Sequence, residues 1–223
     1  MVPLRVLCWN VHGLRDDRPA LTGLIRDLAP DVMIVQEAPR RFRWRHRCAA
    51  LADDAGMVVG SGGLPSLGNL LLVSLRVKVL QEWCLRYPLT PGRHMRGAAF
   101  LRGSVRGATF TVSGSHLATD PAERPAQAAR WKEELSRLDG PVIAGGDLNE
   151  GPGGGAWRTV ADGFAESDST TLTFPATLPR VRLDAVFTTP DITVDRYRVI
   201  DSDQARRASD HLPVCADLLL PAS

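Results

Sequence analysis

Val142-Ile143-Ala144-Gly145-Gly146-Asp147-Leu148-Asn149-Glu150 is a short apolar run that stops on two glycines and is followed at once by an acid and an amide two positions apart. A buried strand that ends this abruptly delivers Asp147 and Asn149 to its carboxyl end, the rim on which α/β sheets usually keep their chemistry. Two such side chains can aim at one point. With no side chain at 145 or 146, either a ligand or another stretch of backbone can come close to the carboxylate. Asp and Asn also favour turns in their own right, so a plain strand-to-turn exit accounts for the same residues.

Upstream, Pro121 to Arg137 reads as an amphipathic helix with Ala128, Trp131 and Leu135 spaced for burial and Gly140-Pro141 ending it. Before it, Met57 to His116 carries repeated β runs: 57–59, 69–73, 77–83, 98–105 and 109–115, with Arg106-Gly107 as a hairpin turn. An antiparallel meander fits this pattern, and His116 emerges at its last strand end. Downstream, Gly151 to Gly155 reads as a rim loop feeding a helical turn at Ala156 to Val160. A Ser/Thr-rich stretch and Thr173-Phe174-Pro175 then lead to strands at 183–187, 192–199 and 212–220. Asp184 is an acid within an otherwise apolar strand, and a carboxylate buried there needs a partner, because unpaired burial costs several kcal/mol. Asp210 and His211 stand just before the last strand.

The chain begins with a strand, Leu4 to Trp9, closed by Asn10-Val11-His12-Gly13. Leu21, Leu24, Ile25 and Leu28 then recur at helical spacing, and a second strand, Val32 to Gln36, ends at Glu37. This is a β-α-β unit. If its strands are parallel neighbours, Asn10 and Glu37 share one rim of the sheet. Arg40 to Arg47 follows with five arginines, Phe42 and Trp44, and leads into a helix at Leu51. Such a stretch suits a phosphodiester backbone or an exposed base. It equally suits a solvated helix face whose Phe42 and Trp44 dip into the core.

At 223 residues, with 44% hydrophobic, the chain fits one domain over residues 1–223, and no linker divides it. A net charge of +2 gives little whole-molecule attraction for polyanions, so any phosphate recognition must be local. Cys8, Cys48, Cys84 and Cys215 are too irregularly spaced for a disulfide framework or a zinc site and read as reduced core thiols. The chain opens straight into a strand, with no charged leader and no run of transmembrane length, so a soluble cytoplasmic protein without an obligate protein partner is the expectation.

Asn10, Glu37, His116, Asp147, Asn149, Asp210 and His211 thus gather at strand ends. Such a set suits metal-assisted phosphoryl hydrolysis: carboxylate and amide oxygens for a hard cation, hydrogen-bond donors for the phosphate, and a carboxylate to orient water. In order along the chain stand CWNVHG (8–13), VQE (35–37), GNLLLVS (68–74), Arg96-Gly97, GSHL (114–117), GGDLNE (145–150), RLDAVF (182–187) and SDHLPV (209–214). This series resembles the endonuclease/exonuclease/phosphatase superfamily. The resemblance implies an α/β fold, a four-layer α/β/β/α sandwich of two packed mixed sheets, and an enzyme hydrolysing phosphate esters with Mg²⁺ or Mn²⁺.

On that resemblance Glu37 is the principal metal ligand, with Asn10 beside it and Asp210 completing the metal side. Asp147 orients or deprotonates the attacking water, and Asn149 holds that water or the phosphate. His211 donates to a nonbridging oxygen with its ring fixed by Asp184, and His116 contacts the phosphate or the leaving oxygen. Arg96 and Asn69 fall to substrate binding. In relatives whose GSHL histidine is backed by an acid, that acid lies near GNLLLVS, where this chain offers only Asn69 and Ser74. The leading expectation is a phosphodiesterase acting on DNA or RNA. A phosphatase or phosphodiesterase for a small or lipid phosphate, and an inactive binding module, are the alternatives.

Overall fold

The computed structural model describes residues 1–166 and 170–222. Ser167, Asp168 and Ser169 of the Ser/Thr-rich stretch, and Ser223, lie outside the described residues. Strand β1 (Val2–Asn10), helix α1 (Arg18–Leu28) and strand β2 (Val32–Gln36) form the anticipated unit, with β1 and β2 parallel and Asn10 level with Gln36. Helix α2 (Trp44–Asp54) follows, then strands β3 (Val58–Gly63), β4 (Asn69–Val73), β5 (Lys78–Arg86), β6 (Gly97–Val105) and β7 (Ala108–His116). Helix α3 (Arg124–Leu135), strand β8 (Val142–Asp147), helix α4 (Gly155–Ala161) and the two-residue strand β9 (Ala165–Glu166) come next. The chain finishes with β10 (Asp184–Thr188), β11 (Thr193–Val199), helix α5 (Asp203–Ala208) and β12 (Val214–Leu220).

Two mixed six-stranded sheets result, ordered β11-β12-β1-β2-β4-β3 and β5-β6-β7-β8-β10-β9. The five β runs before His116 are therefore not one meander. β3 and β4 close the first sheet, whereas β5, β6 and β7 build the second, because alternation of apolar residues sets which face is buried but not which sheet a strand joins. The β6–β7 hairpin turns at Arg106-Gly107, where φ of 49° and 88° give the doubly left-handed turn that matches strand twist.

Period-two alternation sorts the strand residues into layers. Leu7, Trp9, Met33 and Val35 face outward and are covered by α1, α2 and α5. Val6, Cys8, Val32, Ile34 and Leu71 face inward against Leu101, Phe110, Val112, Ile143 and Val186 of the second sheet. Phe100, Ala144 and Phe187 face out beneath Trp131 and Trp157 of α3 and α4. These three apolar layers make a four-layer α/β/β/α sandwich, with each sheet centred on one parallel pair, β1–β2 or β7–β8. All four cysteines are free thiols.

Candidate active site

Both central parallel pairs end at the same rim of the sandwich, and their carboxyl ends carry the polar residues: Asn10 ends β1, Glu37 follows β2, His116 ends β7 and Asp147 ends β8. β10 runs antiparallel to β8 with Asp184 opposite Asp147, so the amino end of β10 brings a second carboxylate to the rim. Asp184 is the first residue of its strand, and its buried side chain has the partner that burial demanded: His211 Nδ1 donates to it at 2.8 Å. Thr173 Oγ1 accepts from the Leu183 and Asp184 amides and fixes that strand start. His211 is held by its backbone as well, its carbonyl accepting from the Trp9 indole at 2.8 Å, while Phe174 lies against its ring at 4.7 Å between centroids.

Asp147 is the hub. Its Oδ2 accepts from Asn10 Nδ2 at 2.9 Å and lies 3.2 Å from His116 Nε2, and its Oδ1 accepts from the Asn149 amide at 2.9 Å. Asn149, in the left-handed region at φ 50°, turns its side chain back so that Nδ2 donates to the Leu117 carbonyl and sits 2.9 Å from His116 Nε2. On the far side of the imidazole, Arg96 donates to His116 Nδ1 at 3.0 Å. A guanidinium has no acceptor, so Nδ1 is unprotonated and the one ring proton resides on Nε2, where Asp147 accepts it; Asn149 Nδ2, itself a donor, is a neighbour of Nε2 and not its hydrogen-bond partner.

The two histidines carry opposite charge states. Burial pushes the pKa of His116 down to about 3, with Arg96 adding to the effect against the pull of Asp147, so this ring is neutral. Burial also opposes charge on His211, but Asp184, Asp147 and Asp210 together outweigh it and raise its pKa to about 10. One ring is an imidazole and the other an imidazolium.

The remaining sites lie around this cluster. Glu37 sits half-buried at φ 58° and makes no hydrogen bond or ion pair among the described residues. Asp210 is 40% exposed at its side chain, with Oδ2 3.8 Å from His12 Nε2. Asn69 is buried at the start of β4, its Nδ2 donating to the Ser66 and Gly97 carbonyls, which ties the two sheets together beside Arg96. His12 was absent from the set read in the sequence. Its Nδ1 is 2.7 Å from Asp16 and its backbone amide donates to Asn10 Oδ1, so it borders the rim between Asn10 and Asp210. Its place two residues after Asn10 is the signal that could have found it. Asp147, Asp184 and His211 also form a buried group whose ligand atoms lie within 4.8 Å of one another and that can hold an ion.

A sequence profile of the endonuclease/exonuclease/phosphatase family matches residues 7–211. The chain belongs to this family. Its members are hydrolases acting on phosphate esters. No curated protein matches the sequence. Among solved structures, an endonuclease/exonuclease/phosphatase from Bacteroides vulgatus superposes with a TM-score of 0.82 at 16% identity, covering 99% of this chain and 100% of that one. A mannosyl-6-phosphatase from Bacteroides thetaiotaomicron gives 0.82 at 16% identity, with 97% and 100% covered. D. rerio TDP2 complexed with a single-strand DNA product gives 0.77 at 21% identity, with 98% and 100% covered. At these identities the superpositions establish the shared family fold, and no described helix is long and apolar enough to cross a membrane.

Proposed function

We propose that residues 1–223 act as one Mg²⁺- or Mn²⁺-dependent phosphodiesterase that cleaves nucleic acid by direct attack of water. The observation that carries this reading is the hydrogen-bond state of Asp147. An ionised carboxylate offers about four acceptor directions. Asn10, His116 and Asn149 take three of them, two on Oδ2 and one on Oδ1. The fourth, on Oδ1, is left for a proton of the attacking water, which Asp147 orients and then accepts.

Asn10, Glu37 and Asp210 fit a hard divalent cation. They present only oxygen donors, and Glu37 is a half-buried carboxylate with no hydrogen-bond or ion-pair partner among the described residues, Arg96 acting on it only at longer range. Asn10 Nδ2 faces Asp147 and Oδ1, already accepting from His12, keeps a second lone pair. A bound ion would supply Lewis-acid stabilisation of the phosphate. His211, charged and locked by Asp184 through Nδ1, turns Nε2 toward the nonbridging oxygens. On the opposite side His116, its tautomer set by Arg96, spends its one N–H on Asp147 and holds that hub in place, and Asn149 stands beside it to receive the phosphate. His211 already hydrogen-bonds Asp184, so we assign the ion to the rim acids and the Asp147–Asp184–His211 group to water and phosphate.

Nucleic acid is the preferred substrate because the arginine-rich stretch follows Glu37 closely along the chain and its first member, Arg40, acts on both His116 and Arg96. A small phosphate ester is the second reading, favoured by full-length likeness to a sugar phosphatase. A panel of plasmid, single-stranded DNA, RNA, inositol phosphates and bis-p-nitrophenyl phosphate, each with Mg²⁺ and with EDTA, separates the two. Turnover of the diesters that EDTA abolishes is the expected result; the absence of metal-dependent turnover across the whole panel would refute the function.

A further inference from the structure

The connection between β2 and α2, with the first turn of that helix, carries the densest run of arginines in the chain, five within residues 40–47. From Ala38 to Ala52 there is no acidic residue, and none of Arg40, Arg41, Arg43, Arg45 and Arg47 forms an ion pair among the described residues. On α3, by contrast, Arg130 and Arg137 are matched to Glu133 and Glu134. A solvated helix face normally carries such pairs, so an unmatched run of positive charge asks for an external anion.

The aromatic residues of this stretch have separate fates. Trp44 packs against the first sheet, its ring so close to Gly63 that an added Cβ would lie 2.5 Å away, and the Arg45 guanidinium lies 4.6 Å above it. Phe42 does not enter the core: it is 87% exposed, although its apolar ring gains nothing from water. Arg41, Phe42, Arg43, His46 and Arg47 line a concavity of about 380 Å³ open to solvent. Polar side chains with one bare aromatic face are the parts of a site for unstacked bases.

Arg40 connects this concavity along the chain to the catalytic cluster. It is anchored by bonds to the Leu67 and Met95 carbonyls, and its charge is felt at both Arg96 and His116. Phe42 is two residues on, within about 7 Å of chain from Arg40.

We propose that Phe42, with Arg41, Arg43 and Arg47, forms a subsite for single-stranded nucleic acid, stacking one unpaired base of the strand that flanks the scissile phosphate. The proposal rests on the phosphodiesterase reading and gives it a strand preference: bases in a duplex are stacked on one another and offer Phe42 no face, whereas a single strand does.

The test is equilibrium binding of a fluorescently labelled 12-mer in EDTA, by anisotropy, with wild type, Phe42→Ala, Phe42→Trp and the double variant Arg41→Ala/Arg43→Ala. Loss of one base–aromatic stack predicts weakening by about fivefold to 150-fold for Phe42→Ala, with Phe42→Trp retaining affinity. The double variant should flatten the slope of log affinity against log salt by about 0.7 for each phosphate it no longer neutralises. The same sequence as a duplex should bind more weakly. Equal binding by Phe42→Ala and wild type, equal preference for duplex, or no binding by wild type overturns the subsite. Phe42 is exposed, so its loss does not threaten the fold. Binding is read without metal, so absent hydrolysis of bis-p-nitrophenyl phosphate by wild type in Mg²⁺ would count against the catalytic reading alone.

Discussion

Asp184 and Asp147 face each other in register across the β10–β8 ladder, and the imidazole of His211 links them, Nδ1 2.8 Å from Asp184 and Nε2 3.7 Å from Asp147. Two opposed buried carboxylates repel unless a cation stands with them, and His211 is that cation. Replacing it should therefore cost stability as well as turnover. For His211→Ala we expect a loss of about 3–5 kcal/mol in metal-free protein, the usual effect of removing one partner from a buried pair. In a chain of this length that lowers the melting temperature by roughly 6–20 °C. A thermal melt in EDTA checks it, and a shift under 2 °C would show that the carboxylates do not depend on the ring.

Asp147→Asn keeps the shape of the hub and removes its capacity to take a proton. Turnover of bis-p-nitrophenyl phosphate should fall by about 10²–10⁴, the range for loss of a general base. Binding of Mn²⁺ by calorimetry should persist, since Asn10, Glu37 and Asp210 are untouched. Retention of more than a tenth of wild-type turnover would remove Asp147 from the water-activating role.

Much of this was legible in the sequence because strand ends announce themselves. Val32 to Gln36 matches its expected span to the residue, and the site residues stand beside apolar runs whose termini glycines and polar residues mark. The demand that Asp184 find a partner was chemical and did not need the fold, although its identity as His211 came from resemblance. What escaped was whatever lacks periodicity. α5 buries only Ala205 and Ala208, so its one usable signal was Ser202, whose hydroxyl accepts from the Ala205 amide as a helix cap. β9 is two residues long. The assignment of β3 and β4 to one sheet and β5 to β7 to the other is a long-range choice that local alternation does not encode. At Arg40 to Arg47 the sequence left Phe42 and Trp44 equivalent, and packing separates them: Trp44 found space above Gly63 and Phe42 did not.

Glu37 has no partner of its own among the described residues, so its contribution should appear only when a divalent ion is supplied. Titrating Mg²⁺ into EDTA-treated wild type should raise the melting temperature, because ligand at a hundred times its dissociation constant adds about 2.7 kcal/mol. Glu37→Gln removes the charge that attracts the ion. Its metal-free melt should match wild type while the Mg²⁺-dependent rise is lost and Mn²⁺ affinity falls at least tenfold. An undiminished rise in Glu37→Gln would place the ion elsewhere, with the Asp147–Asp184–His211 group as the remaining candidate.

The glycines before Asp147 admit another backbone and not a ligand. A Cβ at Gly146 would lie 1.9 Å from the Ser115 carbonyl oxygen, and that carbonyl is fixed in the β7–β8 ladder one step before His116 pairs with Asp147. The carbonyl cannot retreat without breaking the register that sets these two side chains 3.2 Å apart. Gly145 meets softer obstacles, Ile34 Cδ1 at 2.8 Å across the sheet interface, which a rotamer change can partly relieve, and the Ala185 carbonyl oxygen of β10 at 3.1 Å. Gly153, in the rim loop, has nothing within 4 Å. Alanine substitutions should rank accordingly: more than about 4 kcal/mol lost or no soluble protein at 146, about 1–3 at 145, and within about 0.5 at 153. Urea denaturation with equal slopes measures the three. If Gly146→Ala unfolds at the same midpoint as Gly153→Ala, the close approach of β7 to β8 is not what holds His116 against Asp147.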